Sequence, residues 1–258
     1  MGTVSTQTEQ KIKSFLAWHK PGTVCLAAWL EKSGISRDLQ KRYRRSGWLE
    51  SVGAGAFKRA GDDVGWQGGL YALQAQAGLP LHAGAMTALG MQGLAHYFRL
   101  GEQTVFLFSP PRTPLPAWFR RHDWQVQIRH APTSILPGGL GLTDHEERTF
   151  SIKISAPERA MLECLYLAPA EADLAECFQV MEGLVNLRPR VVQQLLAVCT
   201  SVKSKRLFLY LAEKAGHHWL RRVDPSRLDL GTGSRSLVKG GAYVSKYQLV
   251  VPEALATL

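Results

Sequence analysis

The chain has 258 residues, of which 45% are hydrophobic and 20% are charged, and its formal net charge is +10. These values are typical of a folded globular protein, so they exclude a chain that is disordered throughout. No apolar stretch approaches the roughly 20 residues of a transmembrane helix, and the polar start lacks the apolar segment of a secretory signal, which predicts a cytoplasmic protein.

The positive charge is concentrated near the N-terminus. Residues 1–60 hold 11 basic and 4 acidic residues, a net +7, whereas residues 61–150 hold 6 and 7, and residues 151–258 hold 14 and 10. A concentrated positive field attracts polyanions, so nucleic acid is the first partner to consider. Charge alone does not distinguish a nucleic-acid surface from a solvated face, and it must therefore coincide with a docking element.

The first sixty residues predict three helices followed by a β-hairpin. A capping box at residues 6–9 begins the first helix, whose buried stripe is predicted at helical spacing by Ile12, Phe15, Leu16 and His19. Thr23 is predicted to cap a second, short helix, and Ser36 a third, with Gly34 in the turn between them. Residues 48–52 and 56–59 then predict two strands, which completes the order of a winged helix-turn-helix.

The third helix carries the most specific signal. Ile35, Leu39 and Tyr43 fall on one side and are expected to anchor it. The side chains predicted to project from its other sides and contact DNA are Arg37, Gln40, Lys41, Arg44 and Arg45, and Lys58 and Arg59 on the hairpin are predicted to touch phosphate. Arg and Lys bond guanine or phosphates, Gln pairs with adenine, and the major groove admits an α-helix. The alternatives are a solvated face or a winged helix that binds protein.

The rest of the chain predicts a mixture of helices and strands, and hence an α+β fold. Helices are predicted over residues 64–81, 84–98, 170–184, 188–200 and 202–215, and strands over 104–108, 124–130, 149–154 and parts of 227–251. Ser155 and Glu158 fit a second capping box, before a helix whose apolar stripe excludes Arg159. We predict two domains: a winged helix with its helical connector over residues 1–97, and a larger mixed domain over residues 98–258.

No motif supports catalysis, a metal or a cofactor. Asp144 and Glu147 precede a strand that ends in Lys153, but a restriction-nuclease-like site needs an acid where Ser151 stands. Residues 144–147 lack helical metal-ligand spacing and are interpreted as a solvated loop, and residues 231–233 as a turn instead of a nucleotide-binding loop. The four cysteines form no Cys-x-x-Cys pair, so we expect reduced core residues. The sequence therefore predicts a protein that is not an enzyme.

Three segments resemble the AbiEi family of type IV antitoxins and transcriptional regulators. They are residues 78–97, GLPLHAGAMTALGMQGLAHY; residues 154–165, ISAPERAMLECL; and residues 228–252, LDLGTGSRSLVKGGAYVSKYQLVVP. The resemblance implies an N-terminal winged helix that binds inverted repeats in double-stranded DNA of its own promoter and represses transcription. It also implies a C-terminal domain that counters a nucleotidyltransferase-like toxin, without a stable complex between the two proteins.

Two points stay open at this stage. Arg235, Lys239 and Lys246 cluster around the terminal turns, where they could extend a nucleic-acid surface, belong to the antitoxic surface or be solvated cations. In the alternative function, the protein is a winged-helix transcriptional regulator whose C-terminal domain senses a ligand or binds a protein partner. A toxin gene next door would favour the antitoxin.

Overall fold

The computed structural model describes residue 15, residues 17–95 and residues 103–257. The predicted capping box at residues 6–9, and Ile12 and Leu16 of the first predicted helix, lie outside these ranges. Phe15 and His19, the other two members of the predicted stripe, are buried as expected.

A helix-turn-helix and a three-stranded sheet form the N-terminal unit. Its elements are β1 (Cys25–Leu26), α1 (Ala27–Lys32), α2 (Arg37–Arg45), β2 (Leu49–Gly53) and β3 (Ala56–Arg59). β3 lies between β1 and β2 and pairs with both antiparallel. Gly34 has a φ of +87° in the turn, and the Ser36 hydroxyl accepts a hydrogen bond from the amide of Leu39 at the start of α2. The predicted winged helix is confirmed, with its turn and its second cap.

The predicted cap at Thr23 is wrong. Its hydroxyl donates to the carbonyl of Lys20, 2.6 Å away, and α1 begins only at Ala27. The reason is a strand that the sequence did not predict: Cys25 and Leu26 pair with the hairpin strand β3 before the helix begins.

A five-stranded mixed sheet forms the centre of the larger unit. Its elements are α3 (Trp66–Tyr71), which continues as a π-helical turn (Ala72–Gln76), β4 (His82–Ala83), α4 (Ala85–Met91), β5 (Thr104–Ser109), α5 (Ala117–Arg121), β6 (Gln127–Pro132), β7 (Leu142–Glu146) and β8 (Ser151–Ser155). The strand order is β6-β5-β4-β8-β7. The interpretation of residues 144–147 as a loop is wrong, because residues 144–146 belong to β7, where Asp144 pairs with Lys153 of β8.

Helices cover this sheet, and a small second sheet follows them. The elements are α6 (Pro157–Leu167), α7 (Leu174–Gly183), α8 (Pro189–Val198), α9 (Val202–Lys214), β9 (Arg235–Ser236), β10 (Ala242–Val244), β11 (Leu249–Val251) and α10 (Glu253–Thr257). The strand predicted over residues 227–230 is absent from the described chain. The guanidinium of the buried Arg206 donates hydrogen bonds to the carbonyls of Leu230, Gly231 and Gly233. These carbonyls bind a side chain instead of a neighbouring strand, and the segment is irregular.

The second predicted capping box is also wrong. Ala156 precedes the first residue of α6, and no side chain caps this helix. The Ser155 hydroxyl donates to the carboxylate of Glu163, and the carboxylate of Glu158 accepts from Arg188 Nε at 2.9 Å. Both residues therefore have tertiary partners in place of the local ones that the sequence suggests.

The boundary between residues 97 and 98 stays a prediction, and the helical connector before it packs with the larger unit. Residues from α3 and α4 belong to the core of the larger unit, together with β5, β8 and the helices α6 to α9. β4 is the central strand of the five-stranded sheet. A smaller core under the winged helix holds Phe15, Cys25, Leu30, Ile35, Leu39, Tyr43, Leu49 and Phe57.

The expected state of the cysteines is confirmed: Cys25, Cys164, Cys177 and Cys199 are all buried and free. No helix within the described residues is long and apolar enough to cross a membrane. The predicted α+β fold class, with a small N-terminal unit followed by a larger mixed one, is confirmed.

Candidate nucleic-acid interface

The helix α2 is held firmly on one side. Leu39 and Tyr43 are buried in the smaller core, as is Ile35 just before the helix. Burial of three large apolar side chains fixes both the axis and the rotation of a short helix. The opposite side is therefore presented in a defined orientation.

Four of the predicted side chains lie on the exposed side of α2: Arg37, Lys41, Arg44 and Arg45. Arg37 Nε lies 3.2 Å from the carboxylate of Glu31, and Lys41 Nζ lies 3.7 Å from that of Asp38. The side chains of Arg37 and Lys41 are 75% and 70% exposed, and ion pairs at such exposure contribute little, about 0 to 1 kcal/mol. A phosphate or a base edge can therefore replace the carboxylate partners at small cost.

A cleft of about 450 Å³ lies between the C-terminal half of α2 and the hairpin strand β2. It is lined by Lys41, Arg44, Arg45, Leu49 and Ser51. The guanidinium of Arg44 also lies over the ring of Phe57, 5.6 Å from its centroid, which positions this cation beside the hairpin. Three cations around one small cleft form a suitable binding site for a phosphate.

The structure corrects the predicted exposure of Gln40. The sequence interpretation placed it among the projecting side chains, but it is only 3% exposed. Its amide nitrogen donates to the carbonyls of Ala27 and Ile35, at 3.0 and 2.9 Å. Both amide N–H groups are therefore used inside the protein, where they join α2 to the start of α1. Gln40 positions the helix and does not face the solvent.

The two hairpin cations are less available than the helix cations. Lys58 Nζ donates to the carbonyl of Asp62 at 3.0 Å and lies 3.4 Å from the carboxylate of Glu50, its neighbour across the strands. Its side chain is 28% exposed, and Arg59 is half-buried. Phosphate contacts by Lys58 and Arg59 remain predictions, in which Lys58 must first exchange partners within the protein.

Two exposed residues beside the basic face were missed from the sequence. Arg42 lies on α2 among the other cations, and Trp48, 45% exposed, directly precedes the hairpin strand β2. The density of basic residues in 41–45 was the signal for Arg42. A Trp at a predicted strand start is usually core, so the sequence offered no signal for the exposure of Trp48.

The second candidate basic surface is only partly free. Lys246 Nζ pairs with the carboxylate of Glu213, and Arg235 donates to the carbonyls of Thr232 and Ser234 within its own turn. Lys239 is exposed. A shared role for these three residues remains a prediction.

Metal-binding geometry does not occur in the part of the chain that the structure describes: no three His, Cys, Asp or Glu side chains converge there. Of the former nuclease candidates, Asp144 pairs with Lys153 at 2.7 Å across the strands β7 and β8. This contact is an ordinary cross-strand ion pair.

Two family models match the chain, one after the other. The first, described as transcriptional regulator, AbiEi antitoxin N-terminal domain, matches residues 8–100. The second, described as transcriptional regulator, AbiEi antitoxin, type IV TA system, matches residues 102–252. No curated protein matches the chain.

Among solved structures, the crystal structure of the RV2827C protein from Mycobacterium tuberculosis is similar to this chain. The TM-score is 0.58 over 95% of this chain and 91% of that one, with 17% sequence identity. At that identity the similarity concerns the fold alone.

Proposed function

Because the chain belongs to the AbiEi family of transcriptional regulators and type IV antitoxins, as its motifs implied, we propose that its winged helix binds an operator in its own promoter and represses transcription. The observation that carries the proposal is the exposed basic face of α2 above a buried anchor. A helix held in this way can enter the major groove with its cations toward base edges and phosphates.

Four of the exposed cations of α2 have different roles in this proposal. Arg37, in the first turn, is placed to reach a base edge, where a bidentate contact to guanine supplies specificity. Lys41, Arg44 and Arg45 surround the cleft beside the hairpin, which receives a backbone phosphate. Gln40 takes no part in base recognition, since both its N–H groups are bound within the protein.

Binding of purified protein to its own upstream region tests the proposal. The triple variant Arg37→Ala/Lys41→Ala/Arg44→Ala should bind this region at least about a hundredfold more weakly, because each contact contributes about 1 to 3 kcal/mol. A matched control replaces three exposed arginines of the larger unit, Arg190, Arg221 and Arg222, by Ala. Equal affinities of the two triple variants, with wild-type melting temperatures, would overturn the assignment of α2.

The second half of the proposal concerns the larger unit. We propose that it counters a nucleotidyltransferase-like toxin encoded beside it, without forming a stable complex. The match of residues 102–252 to a type IV antitoxin family supports this role. Co-expression of the protein with the product of the adjacent gene should relieve growth inhibition, and the α2 triple variant should protect equally well.

The alternative is a winged-helix regulator whose larger unit responds to a ligand or a protein. The gene next door distinguishes the two functions. If its product does not inhibit growth, or if inhibition continues in the presence of this protein, the antitoxin role is wrong. A promoter reporter in the same cells then tests repression separately.

A further inference from the structure

A cavity of about 540 Å³ lies in the larger unit, away from the basic face of α2. Its walls include Leu79, Phe108, Leu136 and Leu142, with several prolines around them. Small-molecule sites in proteins are typically concave, mostly apolar and about 300 to 1,000 Å³ in volume, with a few polar groups that fix the ligand. The cavity fits this description in size and in the nature of its walls.

One charged group in the wall of this cavity is Arg159, from the segment ISAPERAMLECL. The residue is only 4% exposed. Its Nε donates to Glu163 at 2.8 Å, and its Nη1 donates to the carbonyls of Pro137 and Leu140 at 2.8 and 2.6 Å. Nη2 has no acceptor among the described residues. Every fully buried polar side-chain atom of these residues has a partner, so Nη2 is not fully buried, and because Arg159 lines the cavity we infer that Nη2 faces it.

The charge around the cavity favours an anion. Lys153 lies at its rim with a side chain that is 53% exposed, and no Asp or Glu occurs among the described residues that line the cavity. The ion pair of Lys153 with Asp144, 2.7 Å long, is half-exposed. Such a pair contributes little, so Lys153 can turn toward a ligand at small cost.

The guanidinium is held in place before any ligand arrives. Glu163, which binds its Nε, also accepts hydrogen bonds from His82 and Ser155. The two carbonyls that bind Nη1 belong to the loop between β6 and β7, which contains Gly139 at a φ of +85°. A donor fixed by surrounding hydrogen bonds loses little entropy when it binds a ligand.

We propose that this cavity binds a small organic anion, with one carboxylate or phosphate group between Arg159 and Lys153 and an apolar or aromatic body against the leucine and phenylalanine walls. A planar oxyanion matches the guanidinium geometry, and the apolar walls exclude water from the contact. Ligand binding here is measured without DNA and without a toxin, so its failure and the failure of the proposed function are distinguishable.

Calorimetry on the full-length protein tests the site with two matched pairs of probes. The first pair is indole-3-acetate and indole-3-acetamide, and the second is adenosine 5′-monophosphate and adenosine. Within each pair the shape is similar, and only the anionic group is lost. At least one anion should bind at a 1:1 ratio and about tenfold more tightly than its neutral partner, a difference of about 1.4 kcal/mol. The pair that responds distinguishes a carboxylate ligand from a phosphate ligand.

Two variants locate the binding. Lys153→Met should lower the affinity for the anion by about two- to fivefold, as expected for the loss of one half-exposed charge, and should leave the affinity for the neutral partner unchanged. Ser134→Trp places an indole in the cavity wall and should abolish binding. Lys239→Met, an exposed lysine outside the cavity, is the matched control. Arg159 is left intact, because its replacement would also release the loop between β6 and β7.

Four results would overturn the proposal. The first three are the absence of binding by both anions at millimolar concentration, equal affinities for the charged and neutral members of both pairs, and undiminished binding by a Ser134→Trp variant with a wild-type melting temperature. Equal losses in Lys153→Met and Lys239→Met would assign the binding to overall charge, which also contradicts the site.

Discussion

His82 and Glu163, which are 81 positions apart in the chain, form a buried hydrogen bond of 2.9 Å between Nε2 and Oε1. The same carboxylate accepts from the Ser155 hydroxyl at 2.7 Å, the amide of Ala85 at 3.1 Å and Arg159 Nε at 2.8 Å. Burial acts to raise the pKa of Glu163, but His82, Arg159 and Ser155 outweigh it, and the pKa lies below its ordinary value. One carboxylate thus connects the strands β4 and β8 to the helices α4 and α6.

We expect Glu163→Gln to lower the free energy of unfolding by about 3 to 5 kcal/mol, because it leaves the guanidinium of Arg159 buried without its counter-ion. Urea denaturation followed by circular dichroism measures this loss. Glu182→Gln, at an exposed position of α7, is the control and should change stability by less than about 0.5 kcal/mol. Equal stabilities of the two variants would show that the buried carboxylate is dispensable.

Gly84 is required for a different reason, the space that a side chain would occupy. A Cβ at this position would lie 2.2 Å from Oε2 of Glu163 and 2.5 Å from Cδ2 of Phe108. Gly84→Ala should therefore destabilise the protein by at least about 1 to 3 kcal/mol. Gly90→Ala, in the helix α4 with open space around the Cβ, should stabilise it by up to about 1 kcal/mol. Opposite shifts of the melting temperature are the expected result.

Acid should destabilise the winged helix through His19. Its Nε2 lies 3.2 Å from the carboxylate of Asp62, and its Nδ1 lies 3.2 Å from the sulfur of Cys25. Burial lowers the pKa of His19 by more than the Asp62 carboxylate raises it. The unfolded chain therefore takes up a proton below about pH 6.5, where the folded chain still resists it, and stability must rise with pH across this window.

The contribution of His19 is complete above about pH 6.5 and is lost as the pH falls through the lowered pKa of the folded state. Urea denaturation across this range should give a smaller pH dependence for His19→Gln than for the wild type. His130, whose pKa is also lowered by burial, keeps its own contribution of the same sign in both proteins. An unchanged pH dependence in His19→Gln would contradict the assignment.

The winged helix could be predicted because its signals are local. The cap at Ser36, the left-handed Gly34 and the spacing of Leu39 and Tyr43 each lie within one helix or one turn. Gln40 could not be placed in this way, because its acceptor at Ala27 belongs to another helix. A glutamine in a helix with several basic residues gives the same sequence pattern whether its amide meets solvent or a carbonyl.

The larger unit was less predictable because its central contacts are long-range. β4 has only two residues, too few to show an alternating pattern, and its partners β5 and β8 follow far along the chain. β7 is a polar edge strand, so its sequence resembles a solvated loop. Glu158 and Ser155 fit a local capping motif, yet both bind partners from tertiary contacts. The cavity beside Arg159 likewise has no signature in the sequence.

Salt should weaken operator binding steeply if α2 docks on DNA. Each phosphate that the protein contacts should change the logarithm of the binding constant by about −0.9 per unit of the logarithm of salt concentration. The phosphate in the cleft of Lys41, Arg44 and Arg45 therefore predicts a slope of about −0.9, to which every further phosphate contact adds about the same amount. The triple variant of α2 should show a slope that is shallower by about one for each phosphate contact it has lost. Fluorescence anisotropy with a labelled operator measures both slopes, and identical slopes would mean that these cations face solvent.

Truncation should show where the chain divides. A fragment of residues 98–258 lacks β4, the central strand of the five-stranded sheet, and α4, which packs against α6. It also leaves Glu163 without His82 and the amide of Ala85. We therefore expect this fragment not to fold cooperatively, as judged by the absence of a sharp thermal transition in circular dichroism.

A fragment of residues 60–258 keeps the whole sheet and should show a sharp transition. It loses the contacts of Gln76 with Val24 and Leu26, and of Thr149 with Pro21, so its melting temperature should lie below that of the full chain. If the larger unit is the antitoxin, this fragment should relieve growth inhibition by the adjacent toxin but leave the promoter unrepressed. Protection by the 98–258 fragment, or its loss in a folded 60–258 fragment, would contradict this division. The full-length α2 triple variant separates the two cases, since it removes the DNA contacts while every element of the fold is retained.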